Sequence, residues 1–200
     1  MRLQVPFYRQ TTPLNCGTAA LRMACSFLGK DLAQEQLVGI RPGQGISAIR
    51  LALAAARQGF PTLFVSTHLG FNPHLMQLPF YQQHGDTDAA AYDRLAEEAR
   101  SAGVRMEERS LSLRELLGFL GESIPIVLVD WNVVRRRAGY QGHFLPVVGF
   151  SPGEVLVHQH GLDEPQAFLP VPRTTFWKAW TAEGTDQEAV VVGAPAGGTG

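Results

Sequence analysis

Apolar residues recur at helical spacing through the first half of the chain and in short runs of strand type through the second. An Ala-rich run from Thr18 to Leu28 ends at Gly29 and predicts a helix that Cys16 opens. Leu32 to Val38 predicts a short second helix, and Arg41 to Gly45 a loop. From Ile46 to Gln58 the stripe Ile46, Ile49, Leu53 and Ala56 predicts a helix stopped by Gly59. Pro61 to Ser66 reads as a strand. Thr67 to Asp86 is irregular, with three His among scattered Pro, Gly and aromatics, a length typical of a lid, a binding loop or a packed insertion. Asp88 to Ala102 carries a helical face of Ala89, Tyr92, Leu95, Ala96 and Ala99. Val104 to Arg109 suggests a strand, and Ser112 to Glu115 is a capping box opening a helix through Leu120.

Beyond that point the pattern changes. Ile124 to Trp131 is an apolar run of buried-strand type, as is Phe144 to Phe150. Ser151 to Glu154 is a hairpin-type connection to a strand at Val155 to His158. Phe168 to Val171 and Ala189 to Val192 add two more strands, with a short helix from Thr174 to Trp180 between them. Helices first and strands after predict an α+β fold rather than an alternating one. One domain over residues 1–193, with a disordered tail at 194–200, is the expected organisation.

Composition narrows the function classes. The 200 residues are 45% hydrophobic and carry a formal net charge of -1, so no bulk electrostatic argument favours nucleic acid or an anionic membrane. Arg135, Arg136 and Arg137 read as a solvated turn. No apolar stretch is long enough to span a bilayer, and Met1 to Pro6 is not followed by the apolar core of a signal peptide. Two cysteines without a disulfide framework fit a reducing compartment, so a cytoplasmic location is expected. The oligomeric state is open.

The chemistry concentrates at Cys16. It follows Pro13, Leu14 and Asn15 at the first turn of a helix, where the positive end of the macrodipole favours a thiolate, so a depressed thiol pKa is expected. Cys25 lies mid-helix, about 180° from Cys16, and reads as core; the two should not bridge. Gly17 would let backbone or substrate approach closely. Upstream, Gln10 could donate an amide N–H to a developing oxyanion. Far downstream, His143 stands at the start of an apolar strand. A helix-borne Cys, a strand-borne His and an upstream Gln are the constellation of a thiol hydrolase. His158 and His160 share one strand face and could be a pair of metal ligands, but no third ligand stands at a convincing spacing. Trp177 and Trp180 read as core. No convincing carboxylate pair or phosphate loop is visible.

These residues resemble a family. Gln10 followed by Asn15-Cys16-Gly17-Thr18-Ala19-Ala20-Leu21-Arg22-Met23 is similar to the N-terminal motif of C39-like, papain-fold cysteine peptidases. Gly45-Ile46-Ser47 running to Gln58-Gly59-Phe60 resembles their second block, and Gly142 to Phe150 their catalytic-His strand. Tyr140 to Phe144, taken with Gly184-Thr185-Asp186-Gln187-Glu188, is also similar to a plant and animal family named for a guanylyl-cyclase activity on the same scaffold. The resemblance implies a papain-like fold with N-terminal helices on an antiparallel sheet and the active cleft between them. It implies Cys16 as nucleophile, His143 as base and Gln10 with the Cys16 N–H as oxyanion donors, acting on a peptide or small amide with no cofactor or metal. C39-like peptidases orient the His with an Asp-Pro on the next strand. Here the segment reads Val157-His158-Gln159-His160-Gly161, so Gln159 is the expected orienter, with Asp163 a second candidate. Two alternatives stay open: a nucleotide-handling enzyme, and a catalytically silent peptide-binding module.

Overall fold

A computed structural model describes residues 1–33, 45–85 and 89–193. Residues 34–38 of the helix expected at Leu32–Val38, most of the loop after it and the 194–200 tail lie outside those residues.

Helix α1 (Cys16–Phe27) and helix α2 (Ala48–Arg57) come first, followed by strand β1 (Thr62–Ser66). A 3-10 turn (Pro73–Gln77) and the short helix α3 (Pro79–His84) occupy the segment that reads as irregular. Helix α4 (Ala89–Ser101), strand β2 (Arg105–Glu108), helix α5 (Leu113–Gly118) and strand β3 (Ser123–Asp130) complete the first part. Helix α6 (Trp131–Arg135), strands β4 (Gly142–Phe150), β5 (Glu154–Gln159) and β6 (Gln166–Pro172), helix α7 (Arg173–Trp180) and strand β7 (Ala189–Gly193) follow.

The strands form a seven-stranded sheet in the order β2-β1-β7-β3-β4-β5-β6. All its pairings are antiparallel except β1 with β2. Alternation along β3 splits the core. Ile124, Ile126 and Leu128 face α1, α2 and α4, while Val127 and Val129 face α5 and α7. The fold is the expected α+β type.

Local chemistry accounts for the boundaries. Ser112 and Glu115 form the expected capping box of α5. Strand β3 stops one residue earlier than its apolar run because the Asp130 carboxylate accepts from Asn132 N–H and opens α6. The arginine run is therefore not wholly a turn: Arg135 ends α6 and pairs with Asp163 at 3.6 Å, and Arg136 caps the helix at φ 55°. Gly17 serves packing rather than substrate approach. A Cβ there would lie 2.5 Å from Ile46 Cγ2 and 3.0 Å from Leu51 Cδ1, so the glycine lets α1 lie against the start of α2. Trp180 is fully buried as expected, but Trp177 is 38% exposed and lies outside the core.

Candidate functional site

Asn15 shapes the entry to α1 without capping it. Its side-chain oxygen accepts from the N–H groups of Thr11 and Thr12, and its amide donates to Thr11 Oγ1. The first turn is left without a side-chain cap, and the thiol of Cys16 sits there half-buried.

The thiol pKa departs from expectation. Burial raises it above the usual cysteine value, outweighing hydrogen bonding from the backbones of Phe144 and Gly17 that lowers it. The depressed value expected at a helix terminus is reversed, because desolvation of the buried thiol outweighs the local dipole. Cys25 is buried and its thiol is pushed up to about 12. Both cysteines are free.

His143 opens β4 opposite Val129. Its ring lies between Trp131, at a centroid distance of 5.6 Å, and His160, stacked at 5.1 Å and 29°. Burial, then the proximity of His160, lowers its pKa to about 3, against a hydrogen bond from Gln159 that raises it. The Gln159 side-chain oxygen is 3.0 Å from His143 Nε2. Its orientation is fixed on both sides, because that oxygen also accepts from Gly161 N–H at 3.2 Å and its amide nitrogen donates to the Asp163 carbonyl at 2.9 Å. Asp163 thus holds the orienter; its own carboxylate is engaged with Arg135.

Gln10 is buried beside these groups. Its backbone N–H donates to the His160 carbonyl at 2.9 Å, and its amide nitrogen donates to the Thr12 carbonyl at 3.0 Å. Its side-chain oxygen is buried with no partner.

His158 lies in β5, but His160 stands just past its end rather than on the same strand face, and both are committed to the backbone. His158 Nε2 meets the Val5 carbonyl at 2.9 Å, and its Nδ1 accepts from Phe168 N–H at 3.0 Å. His160 Nδ1 meets the His158 carbonyl at 3.0 Å, and its Nε2 meets the Cys16 carbonyl at 2.8 Å. Neither has a ring nitrogen to spare for a metal. The described residues contain no group of three or more His, Cys, Asp or Glu that could hold one. Sequence reasoning missed His160 as a tie between β5 and the Cys16 turn; only its position one residue after Gln159 hinted at it.

Cys16, His143, Gln10 and Gln159 all line one cavity of about 1260 Å³. Its outer wall is the 3-10 turn and α3. There the hydroxyls of Tyr81 and Tyr140 both donate to the Gly184 carbonyl, at 2.6 and 2.8 Å. Asp186 and Glu188 line the same cavity, so it does hold a pair of carboxylates, one that sequence spacing did not single out.

A family described as guanylylate cyclase matches residues 5–192. The chain belongs to this family. Guanylyl cyclase 1 of Arabidopsis thaliana is 24% identical over 166 residues, which cover 74% of this chain and 61% of that protein. The chain thus spans about three fifths of that relative's length. Among solved structures, the fold is similar to a double glycine motif protease from an AMS/PCAT transporter in complex with its leader peptide, with a TM-score of 0.52, 15% identity and coverage of 96% and 94% of the two chains. It is also similar to the peptidase domain of Streptococcus ComA, a bifunctional ABC transporter of a quorum-sensing pathway, with a TM-score of 0.55, 12% identity and coverage of 96% and 99%. A C39-like peptidase from Bacillus anthracis gives a TM-score of 0.52 at 13% identity, covering 94% of each chain. At these identities the structural likeness establishes a C39-type, papain-like fold. No helix among the described residues is long and apolar enough to cross a membrane.

Proposed function

We propose that this protein is a thiol hydrolase that cleaves a peptide or amide bond through Cys16 and His143. The observation that carries the reading is the fixed Gln159–His143 hydrogen bond in the cavity that also holds Cys16. The Gln159 side-chain oxygen accepts a hydrogen bond from Nε2–H, so the neutral imidazole keeps its lone pair on Nδ1, the nitrogen of a base. With the thiol pKa raised and the imidazole pKa lowered, the resting pair is neutral. The proton therefore moves as the bond forms. Cys16 Sγ attacks the substrate carbonyl carbon while His143 Nδ1 takes the thiol proton. The oxyanion is met by the first-turn N–H of Cys16 and by the second amide hydrogen of Gln10. Collapse breaks the C–N bond as His143 returns the proton to the leaving amine. Water, deprotonated by His143, then hydrolyses the Cys16 thioester and restores the thiol.

One structural neighbour is a protease in complex with a leader peptide, which favours a peptide over a small amide as substrate. No step in this scheme calls on a cofactor, and a cytoplasmic location remains part of the proposal. The test is incubation with a degenerate peptide library followed by mass spectrometry. Cleavage that disappears in Cys16→Ala supports the reading. Cleavage that persists in that variant, or its complete absence from the native protein, sinks it.

The family description and the Arabidopsis relative's name favour a second reading, nucleotide cyclisation. Carboxylates such as Asp186 and Glu188 are the ligand type Mg²⁺ uses alongside substrate phosphates. GTP with Mg²⁺ or Mn²⁺ would then give a cyclic product in Cys16→Ala as readily as in the native protein. Absence of such product removes this reading.

A further inference from the structure

Glu188 stands out within the Gly184–Glu188 segment because its polar neighbours are all bound internally. Thr185 Oγ1 donates to the Trp180 carbonyl at 2.6 Å, and Gln187 Nε2 donates to the Leu111 carbonyl at 2.7 Å. The Asp186 carboxylate accepts both its contacts, at 3.0 and 3.2 Å, from Asn72 Nδ2. Glu188 uses its main chain alone. Its carbonyl accepts from Leu128 N–H and from Trp180 Nε1, at 3.2 and 3.1 Å. Its carboxyl, on the cavity wall, makes no hydrogen bond or ion pair among the described residues.

The sheet places that carboxyl relative to the thiol. Ala189 pairs with Val127, so Glu188 stands beside Leu128, and Leu128 pairs with Phe144. Ala189 belongs to the opposite core, so alternation turns Glu188 to the face of Leu128 and Phe144, which α1 covers. Two inter-strand steps separate Glu188 from Phe144, roughly 10 Å. The Phe144 backbone in turn reaches the Cys16 thiol. Extended chain at about 3.3 Å per residue crosses that distance in about three residues.

A second observation points to an occupant. Gln10 is only 7% exposed and lines the same cavity, and its side-chain oxygen has no partner. Two acceptors of residues that line one cavity, Gln10 at the Cys16 end and Glu188 at the other, have no donor among the described residues. Among the described residues, no Lys or Arg forms an ion pair with Glu188. Burial and the charge of Asp186 push its carboxyl up to about 8, a cost that a bound cation would relieve. Tyr81, Tyr92 and Tyr140 line the cavity too, and aromatic faces suit a cation.

We infer that Glu188, backed by Asp186, is a subsite for the ammonium or guanidinium of a basic side chain about three residues from the bond that Cys16 attacks. The inference deepens the hydrolase reading and rests on it for the position of that bond.

Binding separates the two. Cys16→Ala protein is titrated with fluorescein-labelled octapeptides that carry one lysine or, in its place, norleucine, and affinity is read by fluorescence anisotropy. The lysine peptides should bind at least ~10-fold tighter, the order expected of a desolvated ion pair. Glu188→Gln should erase that advantage while leaving the norleucine affinity unchanged. Equal affinity for the two peptides, binding by neither, or a lysine advantage that survives in a Glu188→Gln protein of native circular dichroism overturns the subsite. The lysine comparison alone decides the matter should Glu188→Gln misfold. Lysine-selective binding without cleavage by the native protein would sink the hydrolase reading and leave the subsite standing as a binding site; cleavage indifferent to lysine would do the reverse.

Discussion

The side-chain oxygen of Gln159 lies 3.0 Å from Nε2 of His143, and its other bonds leave the amide only one orientation. A neutral amide in that place fixes the ring and its tautomer but supplies no negative charge to steady an imidazolium. Gln159→Glu supplies one. It should raise the His143 pKa above its present value of about 3, by the same attraction that raises any His beside a carboxylate. An NMR titration of the His143 ring would record the upward movement. Gln159→Leu should cut hydrolysis on the order of tenfold or more through misorientation of the base, with circular dichroism unchanged. A His143 titration unmoved in Gln159→Glu would mean that the bond does not control the ring.

His143→Ala should remove turnover, since loss of a general base typically costs on the order of 10²–10⁴ in rate. Turnover is measured on whichever peptide the library screen selects, with thermal melting as the control for folding. Undiminished cleavage would take His143 out of the mechanism.

Cys16 should be alkylated by iodoacetamide before Cys25. It faces the cavity, whereas Cys25 is buried with its thiol pushed up to about 12. Because burial also raises the Cys16 pKa, its alkylation should be slow at neutral pH and climb through the alkaline range. Peptide mapping after brief labelling at a series of pH values checks both statements. Fast labelling of Cys16 at pH 6 would indicate a preformed thiolate–imidazolium pair instead.

That thiol marks how far sequence reasoning reaches. Cys16, His143 and Gln159 were legible because each sits at a local signal: an Asn-Cys-Gly helix entry, a Gly-His strand start and a hairpin that aligns β4 with β5. The C39-like likeness in the same motifs carried the fold. The pKa of Cys16 was not legible, since burial depends on tertiary packing that no local signal encodes. Trp131 reads as the end of a strand by hydropathy alone; the Asp130 cap that turns it into a helix lies in one carboxylate contact. Glu188 stands in a motif visible in the sequence, but its place on the cavity wall was hidden because the residues before it, Asp186 and Gln187, are left-handed at φ 43° and 50°, which breaks any regular alternation leading into β7.

Acid should weaken the histidine contribution to stability over a definite window. His143 is held neutral, with its pKa lowered from the usual 6.5 to about 3, and burial lowers His158 and His160 as well. The unfolded chain takes up these protons first as the pH falls below about 6.5. At these sites it therefore binds more protons than the folded chain between about pH 6.5 and pH 3, and their contribution to stability falls across that interval. Above it the contribution is fully present. Glu188, its carboxyl pushed up to about 8, works in the opposite direction between about pH 8 and pH 4.5, so the histidine contribution is read as a difference between two proteins. Urea midpoints at steps from pH 6.5 to pH 4 should fall less, or rise more, on acidification in His143→Gln than in the native protein, and equal slopes in the two would contradict the buried neutral assignment.

Gly17→Ala tests the packing that seats the thiol. Helix propensity alone would favour alanine by up to about 1 kcal/mol inside a helix. The new methyl, however, would stand 2.5 Å from Ile46 Cγ2 and 3.0 Å from Leu51 Cδ1. Ile46 is buried and Leu51 fully so, and a β-branched methyl has little room to turn aside. Overpacking of this kind costs about 1–3 kcal/mol, so the steric term wins and the substitution should destabilise. Relief of the clash moves the first turn of α1 away from α2, and Cys16 moves with it. The expected result is a lower denaturation midpoint together with an altered Cys16 alkylation rate, while the labelling of Cys25 in the folded protein stays slow. A stabilised Gly17→Ala protein with unchanged Cys16 chemistry would show that α1 and α2 have slack at this contact and that Gly17 is not what sets the position of the thiol.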